Sequence, residues 1–190
     1  MQEQELLKRI QSGDHSAFRE LYEMYASMVF NVSCRMLGNR HESEDVTQDV
    51  FISAYRSIKE FRSDSRLSTW LYRIAVNHCL NHQARKKREK WISLDVFSSS
   101  DADQHSSVTI SKEHSPDRML ERRETEVIVQ NAINTLPKQQ RIALVLHRYE
   151  GLSYDEIAKI MECSVSSVES RIFRAKQNLY KKLLPYMEHL

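Results

Sequence analysis

Three glycines and three prolines are all that punctuate a chain of 190 residues; ordinary usage would supply about 23 of the two together. A sequence so poor in turn formers cannot close many hairpins, which excludes a hairpin-rich β fold and leaves long helices. Gly13, Gly38 and Gly151 also stand too far apart to build a phosphate-cradling glycine loop, since such loops need at least two glycines in a short span. The longest apolar run, Ile142-Ala143-Leu144-Val145-Leu146, is far short of the roughly 20 residues that span a bilayer. The N-terminal stretch Met-Gln-Glu-Gln-Glu-Leu-Leu-Lys-Arg has no apolar signal region. Cys34, Cys79 and Cys163 lie scattered without a CxxC spacing, as suits reduced thiols. These features predict an all-α protein of the cytoplasm, with no direct membrane insertion.

Charge divides the chain in three. Residues 1–92 hold 15 basic and 12 acidic groups, 93–124 hold 4 and 7, and 125–190 hold 9 and 7. The net charge of +2 thus hides two mildly basic segments around an acidic one. Between Ser93 and Pro116 lie eight serines and four acids against one lysine, with no helical period. The expected organisation is a small helical domain over 1–92, a flexible acidic linker over 93–116, and a second small helical domain over 117–190.

Apolar residues at helical spacing place the elements. Phe18, Leu21, Tyr22, Tyr25, Val29, Val32 and Met36 predict one helix, stopped by Gly38. Val46, Val50, Ala54, Ile58 and Phe61 predict a second from Glu42 to Phe61, and Leu71, Ile74 and Ala75 a third from Ser68 to Lys87. In the second domain Ser115-Pro116-Asp117 reads as a helix start, with helices over 117–135, 138–150, 154–161 and 165–183. The last two form a helix-turn-helix pattern: a Ser153–Glu156 capping box, a short helix, a tight turn, then a helix burying Val168, Ile172, Ala175, Leu179 and Leu183. Its outer face then carries Ser167, Ser170, Arg171, Arg174, Asn178 and Lys181, types suited to base edges and phosphates. An ordinary helical hairpin with a solvated face would show the same spacing.

Two further stripes stand out. On the third helix Trp70, Arg73, Asn77, Asn81, Arg85 and Arg88 step along one side, an exposed indole followed by amides and a basic end. With the polar loop Arg62-Ser63-Asp64-Ser65-Arg66 this combines stacking, base-edge bonding and phosphate attraction. A core anchor and a solvated helix end would account for the same residues singly. On the second helix Asp45, Gln48, Asp49 and Ile52 share a face whose isoleucine suggests a protein partner with a basic surface. His78 and His82, at i and i+4, are a possible metal pair, but no third ligand or HExxH glutamate accompanies them. No catalytic constellation of Ser, His and Asp or of paired carboxylates can be assembled. A stand-alone helix-turn-helix regulator and a metal-dependent enzyme on the two histidines remain as alternatives on spacing alone.

Five segments, in order, resemble the extracytoplasmic-function sigma factors of bacterial RNA polymerase, and among them the envelope-stress type. They are Gly13-Asp14 with Ala17-Phe18; Glu44 to Phe51; Ser68 to Asn77; Gly151 to Ala158; and Ser170 to Ala175. The resemblance implies a promoter-recognition factor that is not itself an enzyme and needs no cofactor or metal. It implies that Asp45, Gln48, Asp49 and Ile52 dock on the β′ clamp helices of core RNA polymerase, with further contact to the β subunit. Arg66, Ser68, Trp70, Arg73, Asn77, Asn81 and Arg85 would recognise the −10 element as duplex and melted strand. Ser167, Ser170, Arg171, Phe173 and Arg174 would read the −35 element, the linker would thread toward the polymerase active site, and an anti-sigma factor would restrain the protein. One position departs from the family pattern. Glu169 stands where Lys or Arg is usual, either facing DNA or closing a Ser166-Ser167-Val168-Glu169 capping box.

Overall fold

The computed structural model describes residues 2–61, 65–96 and 116–187, and among these every regular element is helical. In chain order they are α1 (Gln2–Gln11), α2 (His15–Leu37), α3 (Arg40–Ser57), a 3₁₀ turn (Ile58–Glu60), α4 (Leu67–Val96), α5 (Pro116–Asn134), α6 (Lys138–Arg148), α7 (Tyr154–Met161) and α8 (Val165–Met187). No helix among the described residues is long and apolar enough to cross a membrane. Two compact units result: α1 to α4 form one, except for Cys34–Arg40, which groups with α5 to α8 in the other.

The expected α2 ends where glycine allows it. Gly38 adopts φ +71°, the left-handed conformation that a Cβ disfavours, and its N–H donates to the Cys34 carbonyl at 2.8 Å. Gly151 repeats the device after α6 with φ +68°. The second predicted helix divides, because the chain tightens into a 3₁₀ turn at Ile58 before Phe61 leaves as extended backbone. α4 runs on to Val96, so residues 93–96 of the expected linker are helical, while 97–115, with the Ser115 cap, lie outside the described residues.

The periodicity of α2 to α4 gives no sign of α1, whose apolar face is only Leu6, Leu7 and Ile10. All three are buried. They are supported by polar ties that only the folded chain makes. Gln11 Nε2 donates to the carbonyls of Ile58 and Phe61 at 3.3 and 3.2 Å, fixing the 3₁₀ turn. The Glu3 carboxylate accepts from Tyr25 Oη at 3.2 Å and from the Leu67 N–H at 2.9 Å. Glu3 therefore caps α4 from 64 positions away, satisfying an N–H that has no partner within its own helix. Burial, with the Glu3 carboxylate beside it, pushes the Tyr25 phenol up to about 12. Between α1 and α2, Asp14 Oδ1 accepts from the Ser16 and Ala17 N–H groups at 2.8 and 3.3 Å. The Ser16 hydroxyl and the Arg9 guanidinium hold the Asp14 carboxyl well below the usual range.

The core of the first unit gathers Leu21, Val29, Val32, Val46, Val50, Ala54, Leu71, Ala75 and Cys79, and that of the second Ile142 to Leu146, Ile157, Val168, Ile172 and Ala175. In the second, α8 packs on α5, α6 and α7. The distant cap is the testable element. Trp70, buried on α4, is a fluorescent reporter of the first unit. Glu3→Ala is expected to lower its stability in urea by about 1 kcal/mol. An unchanged midpoint would show that Leu67 finds another acceptor.

Candidate functional site

Three helical faces carry the candidate residues. On α3, Val46, Val50 and Ala54 are at most 2% exposed, which turns Asp45, Gln48, Asp49 and Ile52 outward together, and all four are exposed. Ile52 keeps 49% of its surface in water, unusual for an aliphatic residue beside two acids. Asp45 is approached by His41 Nδ1 at 3.4 Å, an i,i+4 contact on the same helix. Tyr55, not singled out from sequence, extends this face: it is 48% exposed and lies one turn beyond Ile52. Its ring meets the edge of Phe18 at 5.0 Å and stacks on His15 at 6.3 Å, which holds it upright. Its three-residue step from Ile52 was the available signal.

On α4 the stripe holds along its length but not at its head. Asn77, Asn81 and Arg85 are exposed, Arg73 and Ser68 are half-buried, and Arg66 is exposed just before the helix. Trp70 is buried, at 7% exposure, and its ring lies 5.1 Å from that of Phe61. The expected exposed indole is therefore corrected to an anchor. Spacing along α4 does place Trp70 on the outer stripe, but Phe61, leaving the 3₁₀ turn, closes over it. Residues 62–64 of the adjoining loop lie outside the described residues.

The basic end of α4 is partly neutralised. Glu42 on α3 accepts from Lys86 Nζ at 2.8 Å and meets His82 Nε2 at 3.0 Å, and Arg85 reaches Glu89 at 3.6 Å. His78 Nε2 lies 2.9 Å from the Ser53 hydroxyl. The two imidazoles considered as a metal pair are thus turned to different partners on α3, Ser53 and Glu42, and their job here is to tie α3 to α4.

In the second unit the Ser153–Glu156 capping box forms as expected: Glu156 N–H donates to Ser153 Oγ at 3.3 Å and Ser153 N–H to Glu156 Oε2 at 3.0 Å. Glu162 then takes the left-handed conformation, φ 50°, and turns the chain through Cys163 and Ser164 into α8. The cap of α8 is Ser164, whose Oγ accepts from the Ser167 N–H at 3.2 Å. Of the two alternatives left open for Glu169, that removes the capping box at Ser166, which sits inside the first turn, and leaves Glu169 exposed on α8.

The outer face of α8 differs from expectation at two further points. Ser170 and Arg174 are exposed, Ser167 is half-buried, and Phe173 is 60% exposed. Arg171, by contrast, is half-buried: its Nη1 lies 3.2 Å from Cys163 Sγ and 3.9 Å from Met161 Sδ. Asn178 donates to Gln140 Oε1 on α6 at 2.8 Å and is a packing contact. Neither sulfur nor amide partner is adjacent in sequence, so spacing could not reveal these ties. An aromatic ring and an arginine on an open helix after a tight turn can meet thymine methyls, guanine edges and phosphates.

Comparison with known proteins matches both units. A family described as Sigma-70 region 2 matches residues 21–89, and Sigma-70, region 4 matches 126–179. The chain is 41% identical over 186 residues to the RNA polymerase sigma-H factor of Pseudomonas aeruginosa, covering 98% of this chain and 96% of that protein. It is 38% identical over 183 residues to the ECF RNA polymerase sigma-E factor of Escherichia coli, covering 96% and 95%. Among solved structures, a sigma factor of Bartonella quintana in complex with the anti-sigma factor NepR aligns with a TM-score of 0.67 at 25% identity, covering 87% of this chain and 96% of that one.

The Glu42 bridge yields a pH test. Burial pushes its carboxyl up, but Lys86 and His82 outweigh this and leave it below its ordinary value of 4.5. A depressed carboxylate contributes stability that is complete above that ordinary value and is lost as pH falls through the lower folded value. Tryptophan-monitored stability should therefore fall less steeply below pH 4.5 in Glu42→Gln than in the native chain. Parallel acid limbs would contradict this bridge.

Proposed function

Because the chain belongs to the extracytoplasmic-function sigma factors of bacterial RNA polymerase, we propose that its exposed helix faces divide promoter recognition between them. A sigma factor joins core polymerase and directs initiation to particular promoters. The unit over 1–92 binds core polymerase and opens the −10 element; the unit over 117–190 reads the −35 element. Asp45, Gln48, Asp49 and Ile52 form the polymerase-docking face, supported by their shared exposure on α3. Two acids around an exposed isoleucine suit a basic surface with an apolar centre.

Arg66, Ser68, Arg73, Asn77, Asn81 and Arg85 take the −10 strand, arginine holding phosphate and asparagine bonding base edges. Trp70 supports this surface from beneath through Phe61 instead of stacking on a base. Ser167, Ser170, Phe173 and Arg174 meet −35 duplex, and Arg171 reaches it from the edge of the turn that Cys163 and Met161 hold. The acidic stretch between the units lies in a polymerase groove built for nucleic acid, where negative charge is favoured. Strand opening needs no catalytic residue, since capture of unpaired bases stabilises the open state, and RNA synthesis stays with the polymerase. An anti-sigma factor would hold the chain inactive in the cytoplasm, in keeping with the partner seen with the Bartonella quintana relative.

The observation that carries this reading is that the open faces fall inside the two matched regions, an acidic-apolar face at 45–52 and an aromatic-basic one at 170–174. Asp49→Arg tests the first. Reversing one charge at the docking face should weaken binding of the full chain to core polymerase by about tenfold or more, with the helical circular dichroism unchanged. Unaltered core affinity would remove α3 from the interface.

A further inference from the structure

α8 presents a carboxylate, Glu169, that no hydrogen bond or ion pair among the described residues employs. Val168, Ile172 and Ala175 are at most 1% exposed, and they fix the rotation of the helix. At about 100° per residue, Glu169 and Phe173, one turn apart, then form one edge of the open face, beside Ser170. Both are exposed. The residues one turn from Glu169 in either direction are Val165, Ser166, Ile172 and Phe173, so no cation stands where a helical ion pair would need one. The cap belongs to Ser164. Among the described residues Glu169 makes no ion pair.

In a major groove an ionised carboxylate is repelled by phosphates and has nothing to offer guanine N7 and O6 or thymine O4, which are acceptors like itself. It can be satisfied only by an exocyclic amino group. Adenine places its amino group next to the N7 acceptor, which faces the second carboxylate oxygen. Cytosine places its N4 amino group next to a C–H, and Phe173, one turn along, presents an apolar ring suited to that neighbouring edge. We propose that Glu169 is a specificity-determining residue that selects a cytosine in the upstream promoter element by accepting from its N4 amino group. This rests on the sigma-factor reading and adds to it the base that is read. Arg174 and Lys176, exposed on the same helix, supply the phosphate attraction that lets a carboxylate approach.

The test uses full-length protein with core polymerase and a promoter pool randomised across the upstream element, and sequences the templates that are transcribed. With the native chain, one position should favour cytosine by about tenfold. Glu169→Gln should move the preference at that same position to adenine, whose N6 and N7 suit an amide, and Glu169→Ala should reduce it to under about twofold. Identical profiles for all three proteins, or no cytosine preference that responds to the substitutions, would overturn the assignment while leaving the sigma reading intact. Absence of promoter-specific transcripts from every template would overturn both.

Discussion

What this protein can present to a partner is decided by what its helices must hide. On α3 the seam Val46, Val50, Ala54 and on α8 the seam Val168, Ile172, Ala175 are almost completely removed from water. Each buried methylene is worth about 0.8 kcal/mol, so neither helix can rotate about its axis without losing several such groups. That lock is what brings Asp45, Gln48, Asp49 and Ile52 to one face, and Ser170, Phe173 and Arg174 to another. Polar ties refine the result without setting it. Glu3 and Gln11 fasten the start of α4 and the 3₁₀ turn, Glu42 joins α3 to α4, and Ser164 fixes where α8 begins.

Much of this was legible in the sequence because it is local. The end of α2 at Gly38, the Ser153–Glu156 capping box and the α3 stripe each depend on residues within a turn or two of one another. What was illegible depends on partners that another element or a turn delivers. α1 shows only three apolar residues, and its place is fixed by contacts to residues near position 60. Trp70 reads as outward along α4 and is covered by Phe61, which another element delivers. Arg171 looks free on a helical wheel and is held by sulfurs of the preceding turn. The Ser166 capping box, left open from the sequence, does not form for a different reason: Ser164 Oγ already accepts from the Ser167 N–H and starts the helix earlier.

The charge distribution fits a protein that depends on its polymerase for affinity. Phosphate neutralisation supplies most non-specific binding to DNA, yet the chain carries a net charge of only +2. Part of its basic surface is further offset by its own acids, Glu42 against Lys86 and Glu89 against Arg85. Base-reading residues can then discriminate among promoters without trapping the free protein on bulk DNA.

On this reading, promoter recognition resides in the chain while promoter affinity comes from its complex with the polymerase. The most direct measurement is binding of promoter DNA at physiological salt by the full chain alone and by the chain with core polymerase. The expected result is a stable, sequence-specific complex only when polymerase is present. Tight, sequence-specific binding by the chain alone, unaffected by polymerase, would contradict the account.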